Sequence, residues 1–194
     1  MTSPPRQAAR GPVVTLPAAA RLLRRHPAQA FGAATTAAAV NVVPDVLRQV
    51  LVWDDPSHGA ALAVDVIGFL TGLLAQLWVT GALVGLPDDR GLSPVGALGR
   101  GTMLALRAVR AAPVTVLAGV VLGGAVSALI TIPASVAALG ADRVIGPLDS
   151  PGVLPFAVAT ISDLVASATT LPFLALVLVL AAGWRPARPG TSAP

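Results

Sequence analysis

Residues 59–86 read "GAALAVDVIGFLTGLLAQLWVTGALVGL", a long apolar run with a single charge at Asp65. Such a run has few ways to fold. About 20 apolar residues in a helix cross the hydrocarbon core of a bilayer. Inside that core the backbone must satisfy its own hydrogen bonds, which leaves helices or closed barrels. Residues 112–139 and 153–184 are runs of the same kind. A fourth, residues 28–53 ("AQAFGAATTAAAVNVVPDVLRQVLVW"), is long enough but rich in Ala and Thr, with Asn41, Asp45 and Arg48 inside it. Each run ends in turn chemistry: "DDPSHG", "PDDRGLSP", "GADRVIGPLDSPG" and "RPARPG". The expected fold is an all-α membrane protein with four transmembrane helices. Residues 1–14 are expected to form a disordered tail, 15–184 a single membrane domain and 185–194 a cytoplasmic tail.

Charge is scarce. Only 11% of residues are charged, against about 25% in soluble domains. All 13 basic residues are Arg and all 9 acidic residues are Asp; Lys, Glu, Cys and Tyr do not occur. The missing types exclude disulfides, thiolate nucleophiles, Cys-based zinc sites, Schiff-base lysines and glutamate acids or bases.

The arginines are placed asymmetrically. Arg6, Arg10, Arg21, Arg24 and Arg25 precede the first run, and Arg90, Arg100, Arg107 and Arg110 lie between the second and third. Arg185 and Arg188 follow the fourth, and only Arg48 and Arg143 fall on the other side. By the positive-inside rule both termini are cytoplasmic in the cell membrane. Membrane topology therefore accounts for the basic balance without nucleic acid. The Arg-rich, acid-poor start is also compatible with a targeting peptide, but the same basic phrase recurs deep in the chain.

That phrase is Arg-x-x-Arg-x-x-Pro. "RLLRRHP" (21–27) and "RAVRAAP" (107–113) each stand at the start of an apolar run. Arg21, Arg24 and Arg25 share one face of a short helix expected from Leu16 to His26, with Leu16, Ala19 and Leu23 opposite. The second copy has a longer lead-in, in which Ser93 is placed to cap a helix with Pro94 in its first turn. There Val95, Leu98, Leu106 and Val109 form an apolar stripe, and Arg100, Arg107 and Arg110 cluster on the other side. Both are expected to lie in the inner interface, in contact with anionic lipid, before a proline turns the chain into the bilayer. The chain then consists of two parallel repeats, about 16–86 and 94–184, each an interfacial basic helix followed by a transmembrane hairpin. "DVIGFLTGL" (65–73) aligns with "DLVASATTL" (163–171), setting Asp65 against Asp163.

The candidate chemistry is an intramembrane polar set: Asn41, Asp45, Arg48, Asp65 and Asp163. Charges within a span are costly and mark functional hypotheses. Asp45 and Arg48, three apart, share a helical face, and Asp65 is placed to join them. An ion-pair cluster that fixes helix register is the simpler expectation; a transport site is the alternative. "WDDPSHG" gathers Asp54, Asp55 and His58, which read as a capped turn before a metal site. No cofactor is expected. Gly68/Gly72, Gly81/Gly85 and Gly119/Gly123 are small-residue pairs that favour close helix packing and permit a homodimer or larger membrane complex.

A basic amphipathic segment, "RLLRRHP" or "LRAVRAAP", leading into a Gly/Ala/Val-rich hairpin resembles the membrane domain associated with glycerophosphodiester phosphodiesterases, a group with many uncharacterised actinobacterial members. The likeness covers about residues 15–185. It implies an architecture and not a reaction, because the phosphodiesterase activity of that family would lie in a separate soluble domain. The expected role is a non-enzymatic interaction or accessory module of the membrane. A small transporter or permease subunit is the alternative, with a membrane-embedded enzyme third.

Overall fold

The structure, a computed structural model, describes residues 11–51, 58–140 and 152–183. Among them every regular element is helical: α1 Pro12–Arg25, α2 Pro27–Leu51, α3 His58–Ala82, α4 Ala97–Ala111, α5 Pro113–Leu139 and α6 Val153–Ala181. A 3-10 segment, Leu83–Asp88, prolongs α3.

The helix limits follow local chemistry. The first helix starts at Pro12, earlier than the expected Leu16, because proline in the first turn gives up an N–H that has no helical partner there. Ser93 does not cap α4: the helix begins at Ala97 behind Gly96, whose left-handed φ of 66° suits glycine. The two joints before proline are alike. His26 (φ −125°, ψ 50°) ends α1, and Ala112 (φ −149°, ψ 61°) ends α4. His26 N–H donates to Leu22 O, and Ala30 N–H donates to His26 O, both at 3.0 Å. Ala112 N–H donates to Ala108 O at 2.8 Å, and Val116 N–H donates to Ala112 O at 3.1 Å. One residue thus closes one helix and opens the next. A proline ring disfavours helical φ/ψ in the residue before it, so the break falls there in both copies. Pro44, Pro133 and Pro172, by contrast, lie inside α2, α5 and α6.

Among the described residues, three segments are long and apolar enough to cross a membrane: Val66–Asp88, Pro113–Ala138 and Val153–Ala181. α2, the fourth expected span, is a continuous helix of spanning length, rich in Ala and Thr and less apolar than α3, α5 and α6.

The core lies at one end of the bundle. Ala175, Leu176, Val177, Leu178 and Val179 are consecutive and buried, so the last turns of α6 are enclosed on every side, and α6 touches all five other helices. A helix buried all round is a central element. Around it pack Ala19 of α1, Ala30 and Ala33 of α2, Val79 of α3 and Leu83 and Leu86 of the 3-10 segment. Ala108 and Ala112 at the end of α4 meet Leu178 and Ala181. α3 and α4 cross at backbone contact: a Cβ on Gly81 would lie 1.8 Å from Ala97 O, and one on Gly101 would lie 1.7 Å from Leu77 O. Of the expected small-residue pairs, Gly81/Gly85 is used inside the fold and Gly119 lies against Val177 of α6, whereas Gly72 and Gly123 face open space.

Away from this end the long helices bare apolar side chains. Leu62, Val66, Phe69 and Leu70 of α3, Leu117, Val121 and Leu129 of α5, and Val153, Leu154 and Ile161 of α6 are all exposed. Water-soluble monomers rarely expose apolar surface on this scale.

Candidate functional site

Of the expected polar set, the side chains of Asn41 and Asp163 are described. Asn41 is half-buried on α2 and lines a cavity of about 490 Å³ between α2 and α3. Asp163 is exposed on α6, next to buried Ser162. Asp45 and Arg48 stand on α2 and Asp65 on α3, but their side chains lie outside the described set, and so does their expected cluster. Trp53, Asp54 and Asp55 lie outside the described residues, as does the side chain of His58.

The cavity is a groove along the first hairpin. Thr36, Ala37, Val40, Asn41 and Pro44 form one wall, Thr71, Leu74, Ala75 and Trp78 the other, and Leu98 of α4 also reaches it. Both threonines spend their hydroxyls locally: Thr36 Oγ1 donates to Gly32 O at 2.8 Å, and Thr71 Oγ1 donates to Gly68 O at 3.1 Å.

A polar link missed in the sequence lies deeper. Gln76 Nε2 on α3 donates to Leu171 O on α6 and to Thr80 Oγ1, both at 3.3 Å, and Thr80 Oγ1 donates back to Gln76 O at 2.8 Å. Gln76 sits inside "LLAQLWVTGALVGL", a stretch that otherwise reads as nearly dry. Its amide was the available signal, since a side-chain amide among apolar residues requires a partner.

The second charged assembly joins the α1–α2 joint to the loop after α3. Asp89 Oδ2 accepts from Arg25 Nη2 at 2.9 Å, and Asp89 Oδ1 lies 3.1 Å from His26 Nε2. The His26 contact lacks hydrogen-bond alignment. Asp89 holds a left-handed backbone, φ 56°, which Asp tolerates better than most residues. In sequence these residues are 64 apart, and only the turn signal "PDDRG" marked the loop.

The basic residues separate by role. Arg100 is turned into the α3–α4 junction: Nη1 donates to Val95 O at 2.5 Å, and Nη2 donates to Ser93 O, to Ser93 Oγ at 3.2 Å and to Gly81 O at 3.4 Å. Gly81 O belongs to the last turn of α3, where carbonyls lack helical partners, so this guanidinium fastens the crossing. Arg21, Arg24, Arg107 and Arg110 are exposed. α4 buries Ala97, Gly101, Leu104 and Ala108. The stripe expected to be its apolar face, Val95, Leu98, Leu106 and Val109, is exposed, with Val95 at 87%. The helix therefore has a small-residue face on the bundle, a bare apolar face beside it and a basic face beyond.

Among the described residues no group of three or more His, Cys, Asp or Glu side chains is placed to hold a metal ion. Neither a family model, nor a curated protein, nor a solved structure matches this chain.

Proposed function

We propose that this chain is a non-enzymatic integral protein of the cell membrane that acts as an interaction or accessory module. Its carrying observation is the division of the molecule into a buried end and a long region of bare apolar helix. In this reading α2 is a fourth span beside three more apolar ones. α2 packs on both α3 and α6, which offsets part of the cost of its polar residues in hydrocarbon. The arginine asymmetry puts the buried end and both termini on the cytoplasmic side.

The two-repeat reading draws on the matched joints at His26 and Ala112 and on a reciprocal packing. α1 of the first half packs on α6 of the second, and α4 of the second packs on α3 of the first. Arg21, Arg24, Arg107 and Arg110 then meet anionic headgroups, at about 1 kcal/mol for each residue near the surface. The likeness to phosphodiesterase-associated membrane domains fits this architecture and adds no reaction. A transporter subunit is the second reading, favoured by one observation: Asp163 is an exposed charge on an apolar helix.

The test is fractionation followed by native sizing in mild detergent. The protein should stay with the membrane after alkaline extraction and migrate within an assembly larger than its 19.3 kDa mass. Release by alkali would contradict the membrane reading. A lone monomer at native expression would contradict the accessory role.

A further inference from the structure

We propose that the cavity between α2 and α3 holds one hydrocarbon chain of a membrane lipid, seated from the side; the proposal rests on the membrane reading above. At about 490 Å³ the space falls within the roughly 300–1,000 Å³ typical of small-molecule pockets. It is elongated, because its α2 wall runs from Thr36 to Pro44, about 12 Å at 1.5 Å per residue. A trough about 12 Å long with an apolar lining fits a hydrocarbon chain better than a compact polar solute.

The wall chemistry selects hydrocarbon. Ala37, Val40, Pro44, Leu74 and Ala75 are apolar, and the Thr36 and Thr71 hydroxyls donate to carbonyls of their own helices, so methyl groups furnish most of the lining. Access is lateral. Val40 (68% exposed) and Leu74 (51% exposed) belong both to the cavity and to the bare apolar surface. The mouth thus opens into the region where lipid tails lie, and an unfilled trough there would forfeit dispersion contacts along its whole lining.

Trp78 lines the cavity and supplies a reporter. Trp53 and Trp184 are replaced by Phe, and the protein is reconstituted in vesicles of phosphatidylcholine and phosphatidylglycerol carrying brominated acyl chains, which quench tryptophan on contact. The expected result is strong quenching of Trp78. Val40→Phe at the mouth and Thr71→Leu on the facing wall add bulk to the space, and each should cut that quenching by about half while helical circular dichroism is unchanged. A separate protein with Val121→Trp and no other tryptophan reports contact with lipid outside the cavity. If Val121→Trp is quenched while Trp78 is not, or is quenched equally with and without the filling changes, the cavity proposal is overturned and the membrane reading stands. If Val121→Trp is not quenched, the membrane reading falls and the proposal falls with it.

Discussion

Gly101 and Arg100 are neighbours in sequence that hold one crossing by opposite means. Gly101 lets α4 touch α3 because it has no side chain, and Arg100 reaches carbonyls on both sides of the turn. Gly101→Val must push the helices apart, and overpacking of this kind costs about 3 kcal/mol. Thermal melting in detergent should show a clear drop in Tm, and an unchanged Tm would mean that the helices do not touch there. Asp89 offers a gentler case. Asn accepts the same left-handed backbone, so Asp89→Asn removes the charge facing Arg25 and His26 and little else. Because Arg25 and Asp89 are largely exposed, the loss should be no more than about 1 kcal/mol. Added salt should weaken the parent and leave the variant less affected, since exposed pairs are screened. Equal salt dependence in both would remove Asp89 from the joint. Neither role was legible in sequence. The GxxxG spacing flagged Gly81, but Ala97 and Gly101 face it from another helix, and no local pattern reports a contact across 64 residues.

Helices were the most legible level. Apolar runs and turn residues located α2, α3, α5 and α6 within a few residues of their observed ends, and the Arg-x-x-Arg-x-x-Pro phrase located both breaks. Which face each short helix buries was less legible. On α4 the larger apolar residues were expected to face the membrane interface, and they are exposed; the face turned to the bundle, Ala97, Gly101, Leu104 and Ala108, was not foreseen. The reason is proximity: helices that touch at the backbone require small residues, and larger side chains are left for another surface. That remaining face leads to a prediction. Spin labels attached at Leu106→Cys and Val109→Cys in vesicles should sit at shallow depth in the acyl region, while one at Arg110→Cys should sit among headgroups. Water-like collision rates at all three would detach α4 from the interface. The chain contains no cysteine, so each label is unique.

Across the whole molecule the all-helical architecture was legible because apolar runs of this length admit little else. The number of crossings turns on α2, which is less apolar than the other long helices. Its packing on α3 and α6 is tertiary, and hydropathy along one helix does not contain it. Of the polar set, Asn41 lines the α2–α3 cavity and Asp163 is exposed on α6, positions that depend on how the helices pack and that no single run of sequence contains. Whether α2 crosses decides the sidedness of everything else, and single cysteines measure it directly. Ser3→Cys, Ser57→Cys, Ser150→Cys and Ser192→Cys are made one at a time, and intact cells are treated with a membrane-impermeant maleimide. Four crossings with both termini inside predict labelling of Ser57→Cys and Ser150→Cys in intact cells, and of Ser3→Cys and Ser192→Cys only after permeabilisation. Labelling of Ser3→Cys and Ser57→Cys from the same side would show that α2 does not cross, and would contradict the account.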